Sequence, residues 1–114
     1  MTSKQLTKLY EKAKAEYLAE IQNDDGSYTC KGCGNDFMTI SIHHILKRWF
    51  KYFFADKRNF LALCFDCHHK AEGTMREQKK LNCFHEMEKI AGKLLKEYYR
   101  LKPYEQTLDF KYVI

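Results

Sequence analysis

Two Cys-x-x-Cys pairs, Cys30–Cys33 and Cys64–Cys67, constrain this chain more than any other feature. Thiolates presented in pairs by tight turns are the ligand set of a four-cysteine zinc site. The spacing therefore predicts that two distant segments close on one structural Zn²⁺. A chain of 114 residues makes one domain with a modest core, and a metal staple suits that size. Gly32 and Gly34 let the backbone of the first pair turn, so that neighbouring N–H groups can face sulfur. The fifth thiol, Cys83, is expected to be packing.

The same cysteines would suit a secreted disulfide scaffold, but the start of the chain argues otherwise. Met1 to Leu6 leads into a charged helix with no apolar signal region. No stretch approaches the roughly 18 apolar residues of a membrane span. A cytoplasmic, reducing setting with metal-bound thiolates is the expectation, with no membrane partner.

Thr2-Ser3-Lys4-Gln5 has the form of a capping box, predicting a helix to about Gln22 with Leu6, Leu9, Ala13, Tyr17 and Ile21 on its apolar face. Met38 to His43 alternates apolar and polar residues and is expected to be a short strand. It delivers His43 and His44 to opposite faces, because successive strand side chains alternate. Phe60 to Leu63 reads as a short buried strand. A helix should open at the second cysteine pair and stop at Gly73. Thr74-Met75-Arg76-Glu77 is a second capping box, whose helix is expected to run to Lys102 before Pro103. The tail, residues 108–114, has strand character. The expected organisation is a single domain: an N-terminal helix over 1–24, a zinc-bound core over 28–73, and a helix with its tail over 74–114.

Between the histidine pair and Asn59, bases alternate with rings: Lys47, Arg48, Trp49, Phe50, Lys51, Tyr52, Phe53, Phe54, Lys57 and Arg58. Some of the rings belong to the core, while Lys47, Arg48, Lys51, Lys57 and Arg58 are candidates for a phosphate backbone. The net charge of +5 and isoelectric point near 8.9 suit a polyanionic partner, although a solvated basic surface has the same signature.

In chain order the polar landmarks are Cys30-x-x-Cys33, His43-His44, Asn59 and Cys64-x-x-Cys67-His68. The set resembles the HNH endonuclease family, whose core is the ββα-metal (His-Me) finger, over residues 30–73. The resemblance implies an α+β fold in which this core carries a four-cysteine zinc site between flanking helices. It implies hydrolysis of DNA phosphodiester bonds, with His44 as general base and Asn59 orienting it and bracing the loop. His43 and His68 would then be ligands of one catalytic divalent cation (Mg²⁺, Mn²⁺, Ni²⁺ or Zn²⁺). Elementary chemistry agrees: a neutral imidazole takes a proton from water near neutral pH, and a divalent cation stabilises charge on phosphate.

The chain departs from the family pattern in three places. The pair is His-His where Asp-His is common, removing one negative charge from the cation site. Ala71 stands where a basic residue is frequent, and the basic, aromatic stretch replaces a proline-glycine loop. Glu72, one helical turn beyond His68, is within reach of the cation but is expected in solvent. The alternative reading is a zinc-stabilised nucleic-acid-binding module without catalysis, its histidines mere surface residues on a zinc ribbon. The sequence leaves open monomer or dimer, the DNA form that is cut, and any role for His69.

Overall fold

The computed structural model describes residues 1–113. Helix α1, Ser3–Ile21, opens on the expected capping box: the Gln5 N–H donates to the Thr2 hydroxyl, and the Thr2 N–H donates to Gln5 Oε1. Two of the end's orphan donors are satisfied in this way. Leu6 and Ala13 are buried on its inner face, with Tyr10, Tyr17 and Leu18 half-buried beside them. The chain then turns at Asp25, whose carboxylate accepts from both the N–H and the hydroxyl of Ser27. Gly26 takes a φ of +88° in that turn, a value that glycine adopts without steric penalty.

Two small antiparallel sheets follow. Strands β1 (Tyr28–Thr29) and β2 (Asp36–Phe37) form a ribbon whose turn carries Cys30 and Cys33. Strands β3 (Ser41–His44) and β4 (Phe60–Leu63) pair with His43 opposite Leu61 and His44 opposite Phe60. Helix α2, Phe65–Ala71, begins directly after β4 with Cys64 at its N-cap. The ribbon is tied to the second sheet where the Lys31 N–H donates to the Ala62 carbonyl at 3.0 Å.

The twofold period of β4 divides the core. Phe60 packs with Ile42 and Ala13 under α1, whereas Leu61 and Leu63 pack with Leu81, Cys83 and Met87 around the cysteines. A third cluster joins Leu46, Phe53 and Leu94 of helix α4 (Phe84–Arg100), flanked by Phe50, Tyr52 and Tyr98. Phe53 is completely buried, which stabilises by roughly 1.5–3 kcal/mol relative to an exposed ring. The protein is thus a small α+β domain with helices packed about two short sheets. No helix of the described residues is long and apolar enough to cross a membrane.

Three expectations need correction. The strand expected over 38–43 starts only at Ser41, because Asp36 and Phe37 pair with β1 and Met38 is left 69% exposed beyond them. The long helix expected from Thr74 to Lys102 is broken into α3 (Met75–Gln78) and α4. Thr74 does cap α3 through the Glu77 N–H, but the Glu77 carboxylate pairs with Lys80. The chain then dips so that Leu81 and Cys83 are buried and the Asn82 N–H reaches the Gly32 carbonyl. The tail is a helix, α5 (Leu108–Val113), and not a strand. Thr107 starts it by accepting from the Phe110 N–H, and Lys111 anchors it on Asp56 and the Tyr52 carbonyl. Ile114, the last residue of that expected strand, lies outside the described residues.

Candidate metal centres and the histidine cleft

The β1–β2 turn and the start of α2 bring Cys30, Cys33, Cys64 and Cys67 together, their sulfurs all within 4.8 Å of one another. Four sulfurs around a tetrahedral zinc lie roughly 3.8 Å apart, so the quartet can hold a structural metal ion such as zinc. Cys30 Sγ accepts hydrogen bonds from the Gly32 N–H at 3.3 Å and the Cys64 N–H at 3.2 Å. Burial alone would raise the Cys30 thiol, but the N–H groups of Cys64, Cys33 and Gly32 outweigh it and bring it down to about 7. Burial pushes Cys64 and Cys67 upward, and for Cys67 the neighbouring sulfurs add to the rise. Such a cluster becomes fully thiolate when a divalent cation sits among the sulfurs. The fit is close: a Cβ on Gly32 would lie 2.8 Å from Cys67 Cβ and 2.9 Å from its sulfur.

A second cluster forms where β3 meets α2. His43 Nδ1, His68 Nε2 and a Glu72 carboxylate oxygen also lie within 4.8 Å of one another. Glu72 Oε1 stands 3.2 Å from His68 Nε2 and 3.6 Å from His43 Nδ1. Glu72 is exposed, as expected, and at the (i, i+4) spacing from His68 it also comes within reach of the cluster. His43 Nδ1 is buried and has no hydrogen-bond partner. Burial, and then the charge of His68, hold the His43 imidazole at about 4, so it is neutral with a free lone pair. A buried ring nitrogen left without a partner beside a second histidine and a carboxylate belongs to a donor set that fits a divalent cation.

His44 leaves β3 on the other face, as the strand period requires. Its ring stacks on Phe54 at 5.0 Å with 7° between planes, and Tyr10 and Phe60 lie 5.2 and 5.5 Å away. Nε2 lies 3.0 Å from the Phe54 carbonyl. A carbonyl only accepts, so Nε2 carries the proton and Nδ1 keeps the lone pair. Burial lowers the His44 pKa, the Phe54 carbonyl opposes that fall, and Arg48 adds to it.

Asn59 does not touch His44. It is fully buried, its Oδ1 accepts from the Leu46 N–H at 2.6 Å, and its Nδ2 donates to the carbonyls of Leu46 and Phe53. Of the two roles expected of Asn59, bracing the loop is what its hydrogen bonds do, over residues 46–53; the hydrogen bond of the imidazole is accepted by the Phe54 backbone and not by the Asn59 amide. No side-chain pattern signals a backbone carbonyl in such a role.

The five basic candidates separate. Lys57 pairs with Glu16 and Glu20, and Arg58 with Asp56 and Glu97. Both are paired with carboxylates and line a groove other than the one that holds the histidines. Lys47 and Arg48 instead line a cleft of about 290 Å³ together with His44, Trp49, His68 and Glu72. Lys51 lies in the adjoining groove with Arg48 and Phe54. His69 is exposed on α2, and Cys83 is buried as packing. Comparison of the chain with protein-family models, curated proteins and solved structures gave no match.

Proposed function

We propose that this protein is a metal-dependent endonuclease of the HNH type that hydrolyses DNA phosphodiester bonds, with zinc held by the four cysteines as a structural staple. The observation that carries the reading is one cleft lined by a neutral, oriented histidine and by His68 and Glu72, two members of a three-residue cation-type cluster whose third, His43, is buried behind them. A binding module has no use for that separation of roles, whereas phosphodiester hydrolysis needs both. On this reading β3, β4 and α2 are the ββα-metal core.

His44 acts as general base. Its Nδ1 lone pair takes a proton from the attacking water, while the Phe54 carbonyl holds the ring in the productive tautomer. The stacked Phe54 ring, the tilted Tyr10 ring and the edge-on Phe60 ring restrict its rotation and keep it neutral. Asn59 is a positioning residue, acting through the loop that presents the Phe54 carbonyl. His43, His68 and Glu72 would hold the divalent cation, and Glu72 restores the negative charge that the His-His pair lacks. When bound, such a cation stabilises the charge that develops on the phosphate and the leaving 3′ oxygen. Two imidazoles and one carboxylate suit Mn²⁺, Ni²⁺ or Zn²⁺ at least as well as Mg²⁺. Lys47 and Arg48 neutralise the flanking phosphates.

The test is conversion of supercoiled plasmid to nicked circle with Mg²⁺, Mn²⁺, Ni²⁺, Zn²⁺ or chelator alone. Nicking that requires one of these ions is expected. DNA binding without cleavage of plasmid, single strands or branched DNA under every ion would leave the zinc-stabilised binding module as the better account.

A further inference from the structure

The strongest feature that the proposed chemistry does not use is Trp49. It is the only tryptophan in the chain and is 73% exposed at the lip of the cleft that holds His44, His68 and Glu72. Large rings elsewhere in this stretch are withdrawn into the core: Phe53 is fully buried, and Phe50 packs edge-on against Tyr98. A single exposed ring is common on a protein surface; what sets this one apart is that it lines the same cleft as His44, His68, Glu72, Lys47 and Arg48.

The backbone fixes that position. The Phe50 N–H donates to the Lys47 carbonyl at 2.9 Å, closing a turn with Arg48 and Trp49 at its two corners. The residue before the turn, Leu46, is clamped through both its N–H and its carbonyl by Asn59. The residue after it, Phe50, is held in the aromatic cluster. The corner is therefore a rigid platform on which few degrees of freedom remain to be lost on binding. Among the described residues, Lys47, Arg48 and Lys51 form no salt bridge with any carboxylate, in contrast to Lys57 and Arg58.

Cations free for phosphate, a rigid exposed ring and a cleft shared with the proposed reacting centre together define a ligand. We infer that Trp49 is a stacking platform for an unpaired nucleobase next to the scissile phosphate, so that the preferred substrate is DNA that is single-stranded at the cleavage point. A planar indole stacks on any base and therefore selects for unpaired structure, not for sequence. In a continuous duplex the bases are stacked on one another and cannot cover the ring without being unpaired first. Arg48, at the neighbouring corner, would hold the phosphate attached to the stacked nucleotide. This inference rests on DNA being the substrate of the proposed site, and it adds the form of that DNA.

Because Trp49 is the sole tryptophan, its fluorescence reports the contact directly. The zinc-loaded protein, without added divalent cation, is titrated with three probes: a mixed-sequence single strand, the same strand carrying abasic positions throughout its centre, and a blunt duplex. The intact strand should quench the emission strongly, and the abasic strand and the duplex should quench it little. In parallel, anisotropy of labelled DNA should show Trp49→Ala binding the single strand about tenfold more weakly or worse. Trp49→Phe should keep most of that affinity, and duplex binding should change little in either variant. The inference is overturned if the abasic strand or the duplex quenches as strongly as the intact strand. It is equally overturned if Trp49→Ala weakens all three probes alike or none. Base-dependent quenching by a protein that never nicks DNA under any ion would remove the nuclease reading and leave the stacking site standing.

Discussion

Replacing Asn59 separates two ideas of what this residue does. If its amide gripped His44, Asp would be a tolerable substitute, since a carboxylate also accepts from an imidazole N–H. In the structure its partners are the Leu46 N–H and two carbonyls, those of Leu46 and Phe53. Asn59→Ala leaves the N–H and the carbonyl of Leu46 unpaired in a site with no solvent access, while the Phe53 carbonyl keeps the Asp56 N–H. At about 1–3 kcal/mol for each unsatisfied buried group, with some relaxation, the loss is about 3–5 kcal/mol. Asn59→Asp keeps the acceptor for Leu46 but aims a second oxygen at two carbonyls, so it should be as damaging as Ala at neutral pH. At a urea slope near 2 kcal/mol per M, either variant lowers the unfolding midpoint by about 2 M. The assay is urea denaturation at fixed zinc, followed by circular dichroism. An Asp variant within about 1 kcal/mol of wild type would refute the loop-clamp account and return Asn59 to the imidazole.

Gly32→Ala should lose tight zinc binding and melt at lower temperature, since its Cβ would meet Cys67 at 2.8 Å; full zinc content with unchanged melting would contradict the close packing of the two cysteine turns. Burial raises the Asp56 carboxyl, but hydrogen bonds from Arg58 and the Lys111 charge outweigh it and hold it at about 2. That stabilisation, about 2 kcal/mol, is complete above the unfolded value near 3.9 and vanishes as pH falls toward 2. The gap in urea stability between wild type and Asp56→Asn should therefore close over that window, and a constant gap would argue against an ionised Asp56. Lys47→Ala with Arg48→Ala should flatten the logarithmic salt dependence of DNA binding by about 0.9 per lost contact on duplex and about 0.7 on single strands. Lys57→Ala with Arg58→Ala should leave that slope alone, and the reverse pattern would move the DNA track to the α1 side.

What could be foreseen from sequence is what local periodicity and ligand spacing encode. The cysteine quartet follows from two tight turns, and the opposed directions of His43 and His44 follow from the strand period. The capping box of α1 was equally visible, because its groups satisfy one another within four residues. Glu72 was open to view in principle, one turn from His68, but nothing local says that His43 arrives from another strand to meet it. The grip of Phe54 on His44 was invisible, because a backbone carbonyl has no sequence signature. The break between α3 and α4 had the same kind of cause: Leu81 and Cys83 are drawn into the core around the cysteines, a tertiary demand that overrides a continuous helical pattern. The tail shows it once more, since Lys111 finds Asp56, 55 residues away, a contact that no window of neighbouring residues contains.

The division of labour between His44 and the His43–His68–Glu72 cluster is tested most directly by measuring cleavage rate and cation affinity together, on one DNA, for His44→Ala and Glu72→Ala. The account predicts that His44→Ala loses a hundredfold or more in rate at saturating cation while its cation affinity stays at the wild-type value. Glu72→Ala should instead bind the cation more weakly and recover much of its rate as the cation concentration is raised. A His44→Ala protein that cleaves at the wild-type rate, or that loses the cation while Glu72→Ala keeps it, would contradict the account.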